Sequence, residues 1–175
     1  MIILGKINLH RSRGHFPLVE AKIQAKIFQL NWAPGALVDE EHKLPSPLHA
    51  AVSQGRAGTV QLLLDGGADI DRADNMGQTP LFRAVWSGRR DVVQLLIKRG
   101  AQPNIGSTGG YTPLHVAAAG HYTNEVSIKL IKPLIEAGAD PERRDDRGQT
   151  PIQYARNLYH MDVVRELVKG RTKPR

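Results

Sequence analysis

The chain has 175 residues, 41% of them hydrophobic but only 5% aromatic, no cysteine and a formal net charge of +7. That suffices for one domain with an aliphatic core, and it excludes disulfides and thiolate chemistry. No run reaches the roughly 20 apolar residues of a membrane helix, and Met1-Ile2-Ile3-Leu4, interrupted by Gly5 and Lys6, is too short for the apolar region of a signal peptide.

The first 45 residues carry no clear motif. Val19, Ile23, Ile27 and Leu30 fall on one helical face after Pro17, which predicts a helix over 18–32. Gly35-Ala36-Leu37-Val38-Asp39 echoes Gly67-Ala68-Asp69-Ile70-Asp71 further on. Residues 1–45 therefore read as an N-terminal segment with a degenerate capping unit, and a separate adaptor segment is the competing reading.

From Ser46 onward one short motif recurs. It appears as Ser46-Pro47-Leu48-His49-Ala50-Ala51, Thr79-Pro80-Leu81-Phe82-Arg83-Ala84 and Thr112-Pro113-Leu114-His115-Val116-Ala117, with a looser copy at Thr150-Pro151-Ile152-Gln153-Tyr154-Ala155. Each hydroxyl residue before proline is a natural N-cap, and proline suits the first helical position because its missing N–H would be orphaned there anyway. Leu48, Leu81, Leu114 and Ile152 begin a buried stripe, and Ala51, Ala84, Ala117 and Ala155 allow close helix approach.

A second helix follows each motif. Val60, Leu62, Leu63 and Leu64 mark one, and Val92, Val93, Leu95, Leu96 and Ile97 mark the next, with Asp91 as its expected cap. Gly67, Gly100 and Gly138 should end these helices in the left-handed conformation. From each of them to the next motif proline is 13 residues, so the connecting hairpins have constant length. The third unit carries five extra residues before Gly138. An early helix start, capped by Thr123 or Asn124, accounts for them. Pro133 then falls inside the helix and predicts a kink or a restart there.

The boundaries that follow are 46–77, 78–110, 111–148 and a capping unit at 149–170, with a basic tail at 171–175. Glu166 stands where Leu95 stood, and a charge at an inter-unit position suits the end of a stack.

Residues 46–170 resemble the ankyrin-repeat family. The prolines recur at 33 residues twice, the period of that family, and Leu62-Leu63-Leu64-Asp65-Gly66-Gly67-Ala68-Asp69 matches its repeat ending. The resemblance implies an all-α repeat solenoid: an ankyrin-repeat stack of helix-turn-helix units joined by β-hairpin loops. It also implies that His49 and His115 bond the capping hydroxyl and nearby backbone. Asn104 follows Leu96 at the spacing of hydroxylated ankyrin asparagines, although Gln102-Pro103 departs from that pattern.

Chemistry finds no foothold in the sequence. The histidines show no metal-ligand spacing, and no nucleophile elbow or Gly-x-x-x-x-Gly-Lys phosphate loop occurs. Gly106-Ser107-Thr108-Gly109-Gly110 reads as a flexible hairpin tip. The expectation is a non-enzymatic module without cofactor or metal, monomeric on its own and binding a protein or peptide. The absence of cysteine and of a signal segment points to the cytoplasm or nucleus, with a secreted effector left open.

The family resemblance places the partner surface on a concave face formed by hairpin tips and first helices. Here those positions include Asn75, Met76, Gln78, Trp86, Ser87, Thr108, Tyr111, Arg144, Asp146, Arg147 and Gln149. Trp86 stands out, because tryptophan is scarce in the chain and enriched at interface hot spots. A Met76–Trp86–Tyr111 patch flanked by Arg89, Arg90 and Arg144 would suit a peptide with apolar anchors and acidic flanks. The bland alternative is that Trp86 packs into the neighbouring helix. The rival class is a nucleic-acid or anionic-surface binder using the second unit, net +4, and the basic tail. The excess charge forms no continuous stripe, which argues against nucleic acid.

Overall fold

The computed structural model describes residues 46–120 and 124–171. The predicted helix over 18–32 and the tail beyond Arg171 lie outside the described residues. Eight helices occur in the described region: α1 Pro47–Ser53, α2 Ala57–Asp65, α3 Pro80–Trp86, α4 Arg90–Lys98, α5 Pro113–Ala119, α6 Asn124–Glu136, α7 Pro151–Asn157 and α8 Met161–Arg171. They form four antiparallel pairs. The first helices pack in the row α1, α3, α5, α7, and the second helices in the row α2, α4, α6, α8.

The motif works as its chemistry requires. Thr79 Oγ1 accepts from the N–H of Phe82 at 3.2 Å, and Thr150 Oγ1 from that of Gln153 at 3.4 Å. Gln153 returns the bond, its Oε1 accepting from the N–H of Thr150 at 2.7 Å, a reciprocal capping box. Leu48, Leu81, Leu114 and Ile152 are all buried, as are the four motif alanines. Behind them Val60, Val92, Leu96, Leu130, Leu134 and Leu167 fill the space between the rows.

Helix ends follow one pattern. Gly67, Gly100 and Gly138 have φ of 84°, 88° and 90°. The following N–H reaches back to close a Schellman motif, Ala68 to Leu63, Ala101 to Leu96 and Ala139 to Leu134, at 2.9–3.0 Å. Asp91 is not the cap of α4: Arg89 occupies that position and Asp91 lies in the first turn, where its charge complements the helix dipole.

Two features of the third pair were open. Helix α6 starts early, at Asn124, and runs 13 residues against nine in α2 and α4. Asn124 is thus its first helical residue rather than its cap, and Thr123 lies outside the described residues. The helix passes through Pro133 without a restart, which excludes one of the two expected outcomes. The lost hydrogen bond is tolerated because Leu130, Ile131 and Leu134, all fully buried, clamp the helix on both sides of the proline.

Between the pairs lie tight hairpins, but no β-strand forms among the described residues. Each hairpin is closed by two backbone bonds: the N–H of Asp74, Ser107 and Asp145 donates to the carbonyl of Gln78, Tyr111 and Gln149, and the N–H of Gly77, Gly110 and Gly148 donates back to the carbonyl of Asp74, Ser107 and Asp145. Neighbouring tips are joined by one bond apiece, Thr108 N–H to Met76 O at 2.9 Å and Asp146 N–H to Gly109 O at 3.0 Å. Single bonds of this kind fix the spacing of the tips without building a ladder. Asn104 bridges farther round: its Nδ2 donates to Gly138 O and its Oδ1 accepts from Asp140 N–H, both at 2.8 Å.

Candidate functional site

Histidine and asparagine contacts of this kind lock each unit to the next. His49 Nδ1 accepts from the N–H of Ser46 at 3.2 Å and lies 2.9 Å from its hydroxyl, so the ring proton sits on Nε2, which donates to Gln78 O at 2.8 Å. His115 repeats this with Thr112 and with Gln149 O at 3.1 Å. Burial holds both imidazoles below their ordinary pKa, against the opposing pull of those carbonyls and of Asp74 and Asp145. They are neutral structural pins, as the resemblance implied.

The second unit has Phe82 at the histidine position and so lacks the pin. Phe82 is buried and stacks on Trp86, with ring centroids 6.5 Å apart and planes within 9°. Trp86 remains 48% exposed, so it is not swallowed by the neighbouring helix. Arg83 turns to Asp74, its Nη2 at 3.0 Å and Nε at 3.3 Å from Oδ2. Asp74 is buried, and its Oδ1 also accepts the N–H groups of Met76 and Gln78.

The fourth unit solves the same problem with a phenol. Asp145 Oδ1 accepts from the N–H of Arg147 and Gln149, and its Oδ2 lies 2.7 Å from the hydroxyl of Tyr154. That hydroxyl is also 2.6 Å from the hydroxyl of Tyr111. Burial pushes the Asp145 carboxyl up, but the bonds from Tyr154 and the two backbone groups outweigh it and hold the carboxyl below its ordinary value. Burial, aided by Tyr111 and Asp145, pushes the Tyr154 hydroxyl well above the usual phenol value. Tyr111, His115 and Tyr154 form an edge-to-face cluster with centroids 5.6–6.0 Å apart.

The third unit has neither device. Where Asp74 and Arg83 stand it has Ser107 and Val116, and where Trp86 stands it has Ala119. These small side chains leave a groove of about 820 Å³ between the second and fourth units. Val116, Ala119 and Gly120 line it beneath. Phe82, Trp86 and Met76 stand on one side, and Tyr154, Asn157, Leu158 and His160 on the other. Met76, Trp86 and Leu158 are among the large apolar side chains left exposed.

Of the residues expected at a partner surface, Met76, Gln78, Trp86, Thr108 and Tyr111 line this groove. Asn75, Ser87, Arg144, Asp146, Arg147 and Gln149 do not. Ser87 caps the end of α3, and Arg144 braces its own hairpin through Gly148 O at 2.7 Å. Gln149 joins the hairpin through its backbone, and its side chain meets Asn157 at 3.4 Å. Sequence reasoning missed the far wall of Tyr154, Leu158 and His160. The repeat register did carry a signal, because Trp86, Ala119 and Asn157 are equivalent positions and the middle one is small.

Among the described residues no three His, Asp or Glu side chains are grouped to hold a metal ion, and no helix is long and apolar enough to cross a membrane.

A family model for ankyrin repeats in three copies matches residues 12–107, and a second, for ankyrin repeats in many copies, matches residues 96–155. The chain belongs to the ankyrin-repeat family. Proteins built from these repeats are generally protein–protein interaction modules and typically non-catalytic scaffolds. No curated protein matches the chain.

Proposed function

We propose that this chain is a non-catalytic scaffold or adaptor that binds a peptide segment of another protein across hairpin tips and first helices, the concave face in this family. The observation that carries the reading is the groove at the third unit, apolar along its floor, flanked by aromatic rings and bordered by the exposed Met76, Trp86 and Leu158. Exposed apolar surface of this kind marks interaction sites, and tryptophan and tyrosine are enriched at binding hot spots. The units are pinned together by His49, His115 and Asn104, so little ordering entropy is lost when a partner docks. The exposed arginines Arg89, Arg90 and Arg144 favour acidic residues flanking the anchors.

The test is a pull-down from lysate with the wild type and a Trp86→Ala/Tyr111→Ala variant, each with and without nuclease. Proteins held by the wild type and lost by the folded variant support the groove. A catch unchanged in the variant but abolished by nuclease or salt would favour the rival, an anionic-surface or nucleic-acid binder using the second unit, where Arg89 and Arg90 are exposed, and the basic tail.

A further inference from the structure

The two buried hairpin aspartates occupy the same register and differ in one respect. Asp74 meets the guanidinium of Arg83, which neutralises it. Asp145, whose Oδ1 likewise takes two hairpin N–H groups, meets at Oδ2 only the hydroxyl of Tyr154 and forms no ion pair with any Lys or Arg among the described residues. A carboxylate can only accept, so the Tyr154 proton is committed to Asp145. The Tyr111 proton is then committed to the Tyr154 oxygen. Tyr111, at the groove end of this chain of bonds, is left with acceptor capacity alone. His115 offers no relief, because both ring nitrogens are already engaged by Thr112 and Gln149.

We propose that the groove receives a cationic side chain on an aliphatic stem, a lysine or arginine of the docking segment, with its charged head against Tyr111 and Tyr154 and its stem along Val116 and Trp86. This rests on the groove being the partner site and names the chemistry of the anchor. Three observations converge on it. The negative charge of Asp145 lacks a counter-ion among the described residues. The hydrogen-bond chain from Asp145 ends on an acceptor at a groove-lining residue. The groove lining contains no Lys or Arg to fill the role, and its aromatic faces attract cations. Arg89, Arg90 and Arg144 are not part of the groove lining, so none of them occupies the place of the cationic head.

The test is a titration of the full chain with n-butylammonium, n-butylguanidinium, n-butanol and butyrate at about 0.15 M salt, read by the backbone amide shifts of Tyr111, Val116 and Ala119 and the indole of Trp86. The expected result is that one or both cations bind about tenfold or more tighter than butanol, and butyrate more weakly still. Tyr111→Phe removes the outward acceptor and should abolish that preference. Asp145→Asn keeps the acceptor for the hairpin N–H groups but can donate to Tyr154, which reverses the chain and should turn the preference toward butyrate. Butanol binding as tightly as the cations, or a cation preference that survives Tyr111→Phe, overturns the inference while leaving the groove an apolar docking site. No shift at the groove with any of the four probes overturns both this inference and the groove as the partner site.

Discussion

Nε2 of His49 donates to the carbonyl oxygen of Gln78 at 2.8 Å, so a side chain of one unit holds the hairpin of the next. His115 and Gln149 repeat the arrangement 66 residues later with a bond of 3.1 Å. Both rings are buried and neutral, with pKa held below the ordinary 6.5. The unfolded chain therefore binds more protons than the folded one just below that value. The stability these residues contribute is complete above 6.5 and is lost as pH falls from there toward the depressed folded values. Urea midpoints measured across this range should fall with pH. The slope should flatten in His49→Gln/His115→Gln, since Gln153 shows that glutamine serves at this position.

Core and groove aromatic residues should separate by stability. Leu96→Ala and Leu134→Ala remove fully buried side chains between neighbouring second helices and should each cost about 2–5 kcal/mol. Trp86→Ala removes a half-exposed ring and one stacking contact and should cost about 1 kcal/mol. Chemical denaturation decides the matter, and equal losses would place Trp86 in the core.

Glycines with the same backbone conformation should differ in tolerance. Gly67 has φ of 84° and open space where a Cβ would sit. Gly110 has φ of 75°, and a Cβ there would lie 2.8 Å from Asp146 Oδ1 and 3.0 Å from its backbone nitrogen. Gly67→Ala carries only the left-handed penalty, about 1–2 kcal/mol. Gly110→Ala should cost more, because the neighbouring hairpin must shift and its bond to Gly109 O weakens. Thermal melts of the two variants give the comparison directly.

Tyr159 has φ of 59° and is 87% exposed, at the position where Gly55 and Gly88 stand in the first two units. Few contacts offset its left-handed backbone. Tyr159→Gly should therefore raise stability by about 0.5–1 kcal/mol. A loss on melting would show that the ring makes a contact worth more than the strain.

The motif spacing alone settled the stack. Proline after a capping hydroxyl, leucine two residues on and glycine after the second helix each dictate a local conformation, and their repetition dictates the packing of one unit on the next. The histidine pins were implied by the family resemblance, and their cap partners lie three residues away. No restart occurs at Pro133 because its local penalty is outweighed by Leu130, Ile131 and Leu134, whose burial is a property of the packed array. Asp91 misled because the helix start can shift, here by two residues to an Arg89 cap, without changing the apolar stripe.

The sequence by itself thus determined the family, the two rows of helices and half of the groove, including Met76, Trp86 and Tyr111. Only the tertiary structure decided that Ser107, Val116 and Ala119 leave a hollow, that Trp86 stacks on Phe82 while staying exposed, and that Tyr111, Tyr154 and Asp145 join in one chain of hydrogen bonds. The physical reason is range. Caps, turns and stripes are fixed by neighbours a few residues apart. The chain of hydrogen bonds that leads from a buried carboxylate to the groove depends instead on Tyr111 and Tyr154, 43 residues apart, which only the stack brings together.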